Sequence, residues 1–218
     1  MRMRKKKHGA ERLLACAHLL CERPGSPLAE PARLFGREGA VYLEIGCGKG
    51  GFSCAMAARY PERSFLAMEK VSDVLVLAAE RAVREAESRP DNLRFINGDA
   101  RDLSLWFSEG SLDGIYLNFS DPWPKAGHKK RRLTHRDFLS MYFSLLREGG
   151  SLVFKTDNDG LFAFTLEELE ALGYTPCFVT DDLHASPRAA SNIMTEYERA
   201  FSEQGMKIHS LEVQKAKK

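Results

Sequence analysis

The sequence predicts a doubly wound α/β domain: a mostly parallel, Rossmann-like sheet with an antiparallel strand near the C-terminus. Three observations carry that expectation. From residue 40 onward, short apolar runs alternate with longer amphipathic segments, the rhythm of right-handed βαβ crossovers. A glycine-rich turn with Gly46, Gly48 and Gly51 stands between the first such run and the first helical segment. After Gly173 the alternation stops and strand-like stretches follow one another, as at the antiparallel margin of a parallel sheet.

In chain order, residues 1–39 read as a basic extension and linker, and 40–218 as the domain. Within the extension, 11–22 reads as a short helix ended by Pro24 and Gly25, and 26–39 as irregular, with Pro27, Pro31, Gly36 and Gly39. The domain opens with a buried strand over 41–45, the glycine turn, and a helix over 52–60 closed by Pro61. A second strand covers 64–69, and a helix covers 72–88 with Val74, Leu75, Leu77, Ala78 and Ala82 on its apolar face. A third strand at 93–98 leads to a helical piece near 103–107, and a fourth strand to 112–119. Next come a helix over 136–146 capped by Gly149 and Gly150, a fifth strand over 151–156, and a helix over 160–172 ended by Gly173. Residues 174–180, 197–201 and 207–213 read as three further strands.

A chain of 218 residues suits one sizeable domain, and a net charge of +2 does not by itself mark a nucleic-acid binder. The distribution says more, since basic residues cluster at 2–7 and 125–132. Five cysteines, odd in number and without Cys-x-x-Cys spacing, support neither a disulfide framework nor a zinc ribbon. Cys16, His18 and Cys21 read as parts of a packed helix rather than metal ligands, so reduced thiols, a cytoplasmic setting and no metal are expected. The apolar run at 13–21 is short, carries His18 and is set apart from the basic cluster, unlike a secretory leader. No run approaches the roughly 20 apolar residues of a membrane span.

Candidate chemistry gathers at strand ends. Glu44, Glu69, Asp99 and Asp121 follow four successive strands, at the carboxyl edge where open α/β sheets bind ligands. Glu69 comes about twenty residues after the glycine turn, where an acid takes ribose hydroxyls. Glu44, two residues before Gly46, is a poor neighbour for a pyrophosphate and a good one for a sulfonium or an ammonium group. Asp99 either reaches an adenine amino group or caps a helix. Asp121 ends an apolar strand at Pro122, and Pro122 and Pro124 flank Trp123. Lys125, His128, Lys129, Lys130, Arg131 and Arg132 then form a cationic loop, which either meets a polyanion or is a solvated charge run. Trp123 either stacks on a base or packs inward.

The segment Glu44-x-Gly-x-Gly-x-Gly50 resembles the first motif of class I S-adenosylmethionine-dependent methyltransferases. The stretch Asn118-Phe-Ser-Asp-Pro-Trp-Pro-Lys125, with His128-Lys-Lys-Arg-Arg132, resembles the bacterial tRNA (guanine-N7)-methyltransferase family. Arg2-Met-Arg-Lys-Lys-Lys7, Lys155-Thr-Asp157 and Thr195-Glu-Tyr-Glu198 extend the resemblance over nearly the whole chain, while Gly127 stands where the family carries a basic residue. The resemblance implies methyl transfer from S-adenosylmethionine to N7 of a variable-loop guanosine in tRNA, by a monomer or a homodimer. Glu44 and Glu69 are then expected to hold the donor, with backbone from Gly46 and Gly48 and with Asp99 at the adenine. Asp121 is expected to be the central acid, favouring the positive charge that develops on guanine, and the resemblance implies that it contacts the donor as well. It assigns Lys125, Asp157, Thr195, Glu196, Tyr197 and Glu198 to the substrate, and residues 128–132 to RNA phosphates. Asp157 and Glu198 are expected to accept from guanine N1–H and N2–H2, although 195–198 also reads as a turn leading into a strand. Three alternatives stay open: a methyltransferase of this fold with another RNA, a protein or a small molecule as substrate, a non-catalytic RNA-binding module, and, weakest, a nicotinamide oxidoreductase.

Overall fold

In the computed structural model, residues 7–85 and 91–217 are described, so all of the basic cluster at 2–7 except Lys7, and the expected helical turn at 86–88, lie outside the described residues. The chain divides into two units, Met1–Ser108 and Glu109–Lys218.

The first unit carries three parallel strands, β1 (Val41–Ile45), β2 (Ser64–Glu69) and β3 (Leu93–Asn97), with β2 in the middle. Four helices accompany them: α1 (Gly9–Ala15), α2 (Gly51–Arg59), α3 (Ser72–Glu85) and the single turn α4 (Leu103–Trp106). Residues 64–68 of β2 are all buried, which is why that strand reads as a continuous apolar run rather than an alternation. The α3 stripe is centred on Leu75, Val76, Ala78, Ala79 and Ala82, rotated slightly from the expected face.

The N-terminal region departs from expectation. Instead of a helix over 11–22, α1 ends at Ala15, a 3-10 turn covers Ala17–Leu19, and Leu20 is extended in a parallel bridge with Phe95. The exposed edge of β3 offers backbone partners that a continued helix would leave unused; Cys21 N–H donates to the Phe95 carbonyl at 2.8 Å. The Arg12 guanidinium forks onto both oxygens of Glu80 at 2.7 and 2.6 Å, tying α1 to α3. The stretch at 26–39 is irregular apart from a 3-10 turn at Pro31–Phe35, and Leu28 forms a bridge with Phe107.

The second unit contains β4 (Leu112–Asn118), α5 (Arg136–Leu145), β5 (Leu146–Thr156), α6 (Asp159–Ala171), β6 (Phe178–Thr180), α7 (Glu196–Ser202) and β7 (His209–Gln214). β4 and β5 are parallel, while β7 runs antiparallel to both β5 and β6. The seven strands have the order β3-β2-β1-β4-β5-β7-β6, the doubly wound, mostly parallel sheet with an antiparallel strand near the C-terminus that the sequence predicts.

Two expectations fail in this unit. Gly149 and Gly150 do not cap α5; the strand begins directly at Leu146, and the glycines fall at an irregularity where the register shifts. Gly149 has φ +75°, and a Cβ at Gly150 would come within 3.0 Å of the Asp113 and Arg147 carbonyls, so the irregularity needs glycine. Residues 197–201 are not a strand either. They lie in α7, where Tyr197 and Phe201, four residues apart, stack at 4.1 Å.

Candidate active site

In the first unit, the turn after β1 folds back over β2. Gly46 and Cys47 N–H groups donate to the Met68 carbonyl at 2.8 and 3.0 Å. Gly46, Gly48 and Gly50 have φ of +78°, +56° and +75°, left-handed values that only glycine adopts cheaply. At Gly50 a Cβ would also lie 2.8 Å from the Ala78 Cβ on α3.

Three carboxylates surround this turn or follow the neighbouring strands. Glu44, in β1, is 4% exposed and accepts a short hydrogen bond from the Ser53 hydroxyl at the start of α2. Glu69, at the end of β2, accepts from Gly48 N–H at 3.1 Å and Val71 N–H at 2.8 Å, one on each oxygen. Burial pushes the Cys47 thiol well above its usual pKa, and Glu44 and Glu69 push it further. Glu44 and Glu69 thus place two carboxylates beside the turn. Asp99 caps the 3-10 turn Ala100–Asp102, accepting from Arg101 N–H at 3.0 Å. The Arg101 side chain and Lys70 also hold it, at 2.7 Å each, and keep its carboxyl well below the usual range. The local cap that the sequence left open is thus realised.

In the second unit, β4 delivers the chain to a strained segment. Phe119 and Trp123 have φ of +52° and +40°, costing on the order of 1–3 kcal/mol each for non-glycine residues. Asp121 stands exposed between them. The Trp123 ring meets His128 edge-on at 5.6 Å and carries the Arg131 guanidinium over its face at 5.0 Å. Arg132 donates to the Trp123 carbonyl at 3.2 Å and lies 4.4 Å over the Phe164 ring. Trp123 is therefore the scaffold of the basic 3-10 turn Ala126–Arg131, half-buried rather than a core residue. Lys125, Lys129, Lys130 and Arg131 are exposed, whereas His128 and Arg132 are half-buried. A Cβ at Gly127 would meet nothing within 4 Å, so the turn does not require glycine for space there.

Past β5, Asp157 is half-buried. Burial, and then the charge and acceptance of a hydrogen bond by Asp157, raise the Tyr197 hydroxyl pKa. The Tyr197 ring lies 5.0 Å from that of Phe119. Thr195 caps α7 in a capping box, its side chain accepting from Glu198 N–H at 2.9 Å and its own N–H donating to Glu198 at 3.2 Å. Glu196 is exposed in the first turn of that helix.

Glu198 itself is 0% exposed. It takes hydrogen bonds from Lys155 at 2.7 Å, from His184 at 2.9 Å, from the Asn192 amide and from Thr195 N–H. Burial alone would push its carboxyl up, but Lys155, and then His184 and Asn192, hold it below the usual value. The Glu198 carboxylate, expected at a guanine edge, is thus enclosed and takes four hydrogen bonds from within the fold. In the sequence, Lys155 stands within a matching motif but carries no assigned role, and neither His184 nor Asn192 is singled out. Lone polar residues in an irregular stretch carry no spacing signal; only the capping-box pattern Thr-x-x-Glu was there to be read.

Among the described residues no group of three or more His, Cys, Asp or Glu is placed to hold a metal ion, and no helix is long and apolar enough to cross a membrane.

Residues 38–211 match the family described as "Putative methyltransferase". Curated tRNA (guanine-N(7)-)-methyltransferases of Lactococcus lactis subsp. cremoris, strains MG1363 and SK11, are each 41% identical over 213 residues, 97% of this chain and 97% of theirs. Among solved structures, the 16S rRNA methyltransferase KamB superposes with a TM-score of 0.64 at 14% identity, covering 89% of this chain and 96% of that one. An antibiotic-related methyltransferase gives 0.61 at 16% identity, covering 85% and 92%. Those likenesses establish the class I methyltransferase fold, and the close relatives establish more: the chain belongs to the tRNA (guanine-N7)-methyltransferase family.

Proposed function

We propose that this protein methylates N7 of a guanosine in tRNA, in the cytoplasm, with S-adenosylmethionine as donor. The observation that carries the reading is the exposed Asp121, held between left-handed Phe119 and Trp123 and followed at once by exposed Lys125, Lys129, Lys130 and Arg131. Strain of this kind is kept where it serves a site, and the cations beside it suit a polyanion.

The donor, when bound, supplies an electrophilic methyl group on a sulfonium. Glu44 and Glu69 give the β1 turn the negative field that such a cation needs, with Gly46 and Gly48 allowing close backbone approach. Glu69 also takes ribose hydroxyls, each of its oxygens keeping acceptor capacity beyond its one backbone N–H. Asp99 contributes at the adenine end while capping its own turn.

Guanine N7 carries an in-plane lone pair, so no residue has to remove a proton before attack. The work left to the protein is placement and charge stabilisation. Asp121 offsets the positive charge that grows on the purine. Asp157, oriented by the Tyr197 hydroxyl, accepts from guanine N1–H and N2–H2, and Thr195, Glu196 and Lys125 complete the substrate contacts. Lys129, Lys130 and Arg131 neutralise phosphates, and replacing any one of these cations by alanine flattens the salt dependence of RNA binding by about one unit of slope.

Unfractionated tRNA incubated with labelled donor, followed by borohydride–aniline cleavage at 7-methylguanosine, tests the reading. Label at a single variable-loop guanosine is the expected result. Label at another base, or none with folded protein, would contradict it.

A further inference from the structure

His184 lies in a part of the chain to which no role has been given. It sits in a 3-10 turn, Leu183–Ala185, whose first residue is buried and donates its N–H to the Ile208 carbonyl at 2.7 Å. The Asp182 carboxylate caps that turn by accepting from His184 N–H at 3.1 Å and Ala185 N–H at 3.3 Å. With its backbone fixed at both ends, the imidazole is presented to Glu198, Nε2 to Oε1 at 2.9 Å.

Lys155 and Asn192 meet the same carboxylate. Lys155 Nζ, on a side chain 4% exposed, donates to Glu198 at 2.7 Å, to Asn192 Oδ1 at 3.1 Å and to the Ile193 carbonyl at 3.0 Å. Such an enclosed ion pair is seldom a good source of net stability, since an apolar filling of equal volume does as well or better. What it does supply is a single geometry. Glu198 passes that geometry on, because its backbone and carboxylate are locked to Thr195 in the capping box. Tyr197, one residue earlier, then has its ring between Phe119 at 5.0 Å and Phe201 at 4.1 Å.

We propose that His184 is a positioning residue of the base-recognition segment: acting through Glu198 it fixes Thr195 and Tyr197, and so the direction from which Asp157 meets the guanine edge. The inference rests on the reading of Asp157 as the guanine-edge acceptor. In this reading His184 acts through Glu198 and is given no contact of its own with donor or base. It donates Nε2–H to a carboxylate that Lys155 also meets.

The test uses two substitutions in the full chain. His184→Phe keeps a ring of similar volume without a donor, and His184→Gln keeps an N–H that can reach Glu198. The readouts are kcat and KM for tRNA, preference for guanosine over inosine at the target position, calorimetric affinity for S-adenosylhomocysteine, and the thermal midpoint. His184→Phe is expected to lower kcat/KM for tRNA by about tenfold to a hundredfold and to erode the guanosine preference, since a misplacement near 1 Å has effects of that order. Affinity for S-adenosylhomocysteine should stay unchanged, and His184→Gln should recover most of the loss. Should Phe prevent folding, His184→Asn, whose amide is too short to reach Glu198, takes its place with the same expected loss. Wild-type kinetics in the donor-less variant, equal losses in both variants, or a parallel fall in S-adenosylhomocysteine affinity would overturn the proposal. Asp157→Asn separates the two layers. A wild-type guanosine preference there removes the Asp157 reading itself, whereas loss there with retention in His184→Phe removes only the role of His184.

Discussion

The carboxylates proposed for the site have unlike surroundings. Glu44 is buried against a serine hydroxyl, Asp99 is neutralised by two cations, Asp121 is exposed on a strained segment, and Glu198 is enclosed by four donors. The chemistry proposed for them follows from those surroundings, and the glycines that shape the turn after β1 are equally specific. Gly50→Ala would place a methyl 2.8 Å from the Ala78 Cβ at φ +75°, and neither the backbone of α3 nor that of the turn can give way freely. The expected cost is about 1–3 kcal/mol, with weaker binding of S-adenosylhomocysteine, read by thermal denaturation and calorimetry. A variant as stable and as tight as the wild type would show that the turn relaxes. At this scale the sequence placed Glu44 and Glu69 at the ends of β1 and β2 and Asp121 just past β4, where the structure has them. It did not disclose that Glu198 is buried, because Lys155 lies 43 residues away on β5, and His184 and Asn192, though nearer, stand in an irregular stretch without a spacing signal.

Among the elements, those with unambiguous periods were legible, as was the single turn α4 near 103–107, whereas the short stretches 11–22 and 197–201 were misread. β1 and β2 fall where the apolar runs place them, Val41–Ile45 and Ser64–Glu69. The five residues from Tyr197 to Phe201 fit an alternating strand and an i, i+4 helical pair equally well, and Thr195 and Glu198 decide for the helix by capping it. β5 begins five residues before its apolar run because β4 supplies a partner for Leu146, and the glycines absorb the register shift. The same strand carries Lys155 to Glu198, and removing that cation while leaving the carboxylate buried is expected to cost about 3–5 kcal/mol in Lys155→Met. For a chain of this size each kcal/mol lowers the melting temperature by about 2–4 °C. The pH dependence has a definite sign. The Glu198 carboxyl lies below its ordinary value of 4.5 in the fold, so its stabilisation is complete above that pH and is lost as the solution is acidified through it. Without Lys155, burial pushes the Glu198 carboxyl up, so the gap between wild type and Lys155→Met should begin to narrow above pH 4.5 and keep narrowing as the wild-type carboxyl is protonated in turn, as followed by denaturant midpoints. A gap that is constant or widens with acid would contradict the assignment.

Across the whole molecule, the doubly wound order with an antiparallel β7 was readable from the alternation of segments, since βαβ handedness leaves few topologies. The attachment of the N-terminal region was not, because Leu20 and Leu28 make isolated bridges too short to leave a pattern. The central claim concerns the chemistry that this architecture performs: methyl transfer to N7 needs placement and a fixed negative charge, with no residue acting as a base. Single-turnover methylation of tRNA by the wild type and by Asp121→Asn, followed across pH, tests it most directly. The account predicts a wild-type rate that is flat from about pH 6 to about pH 9, and a much slower but equally flat Asp121→Asn. A wild-type rate that climbs tenfold per pH unit, or an Asp121→Asn rate equal to the wild type, would contradict it.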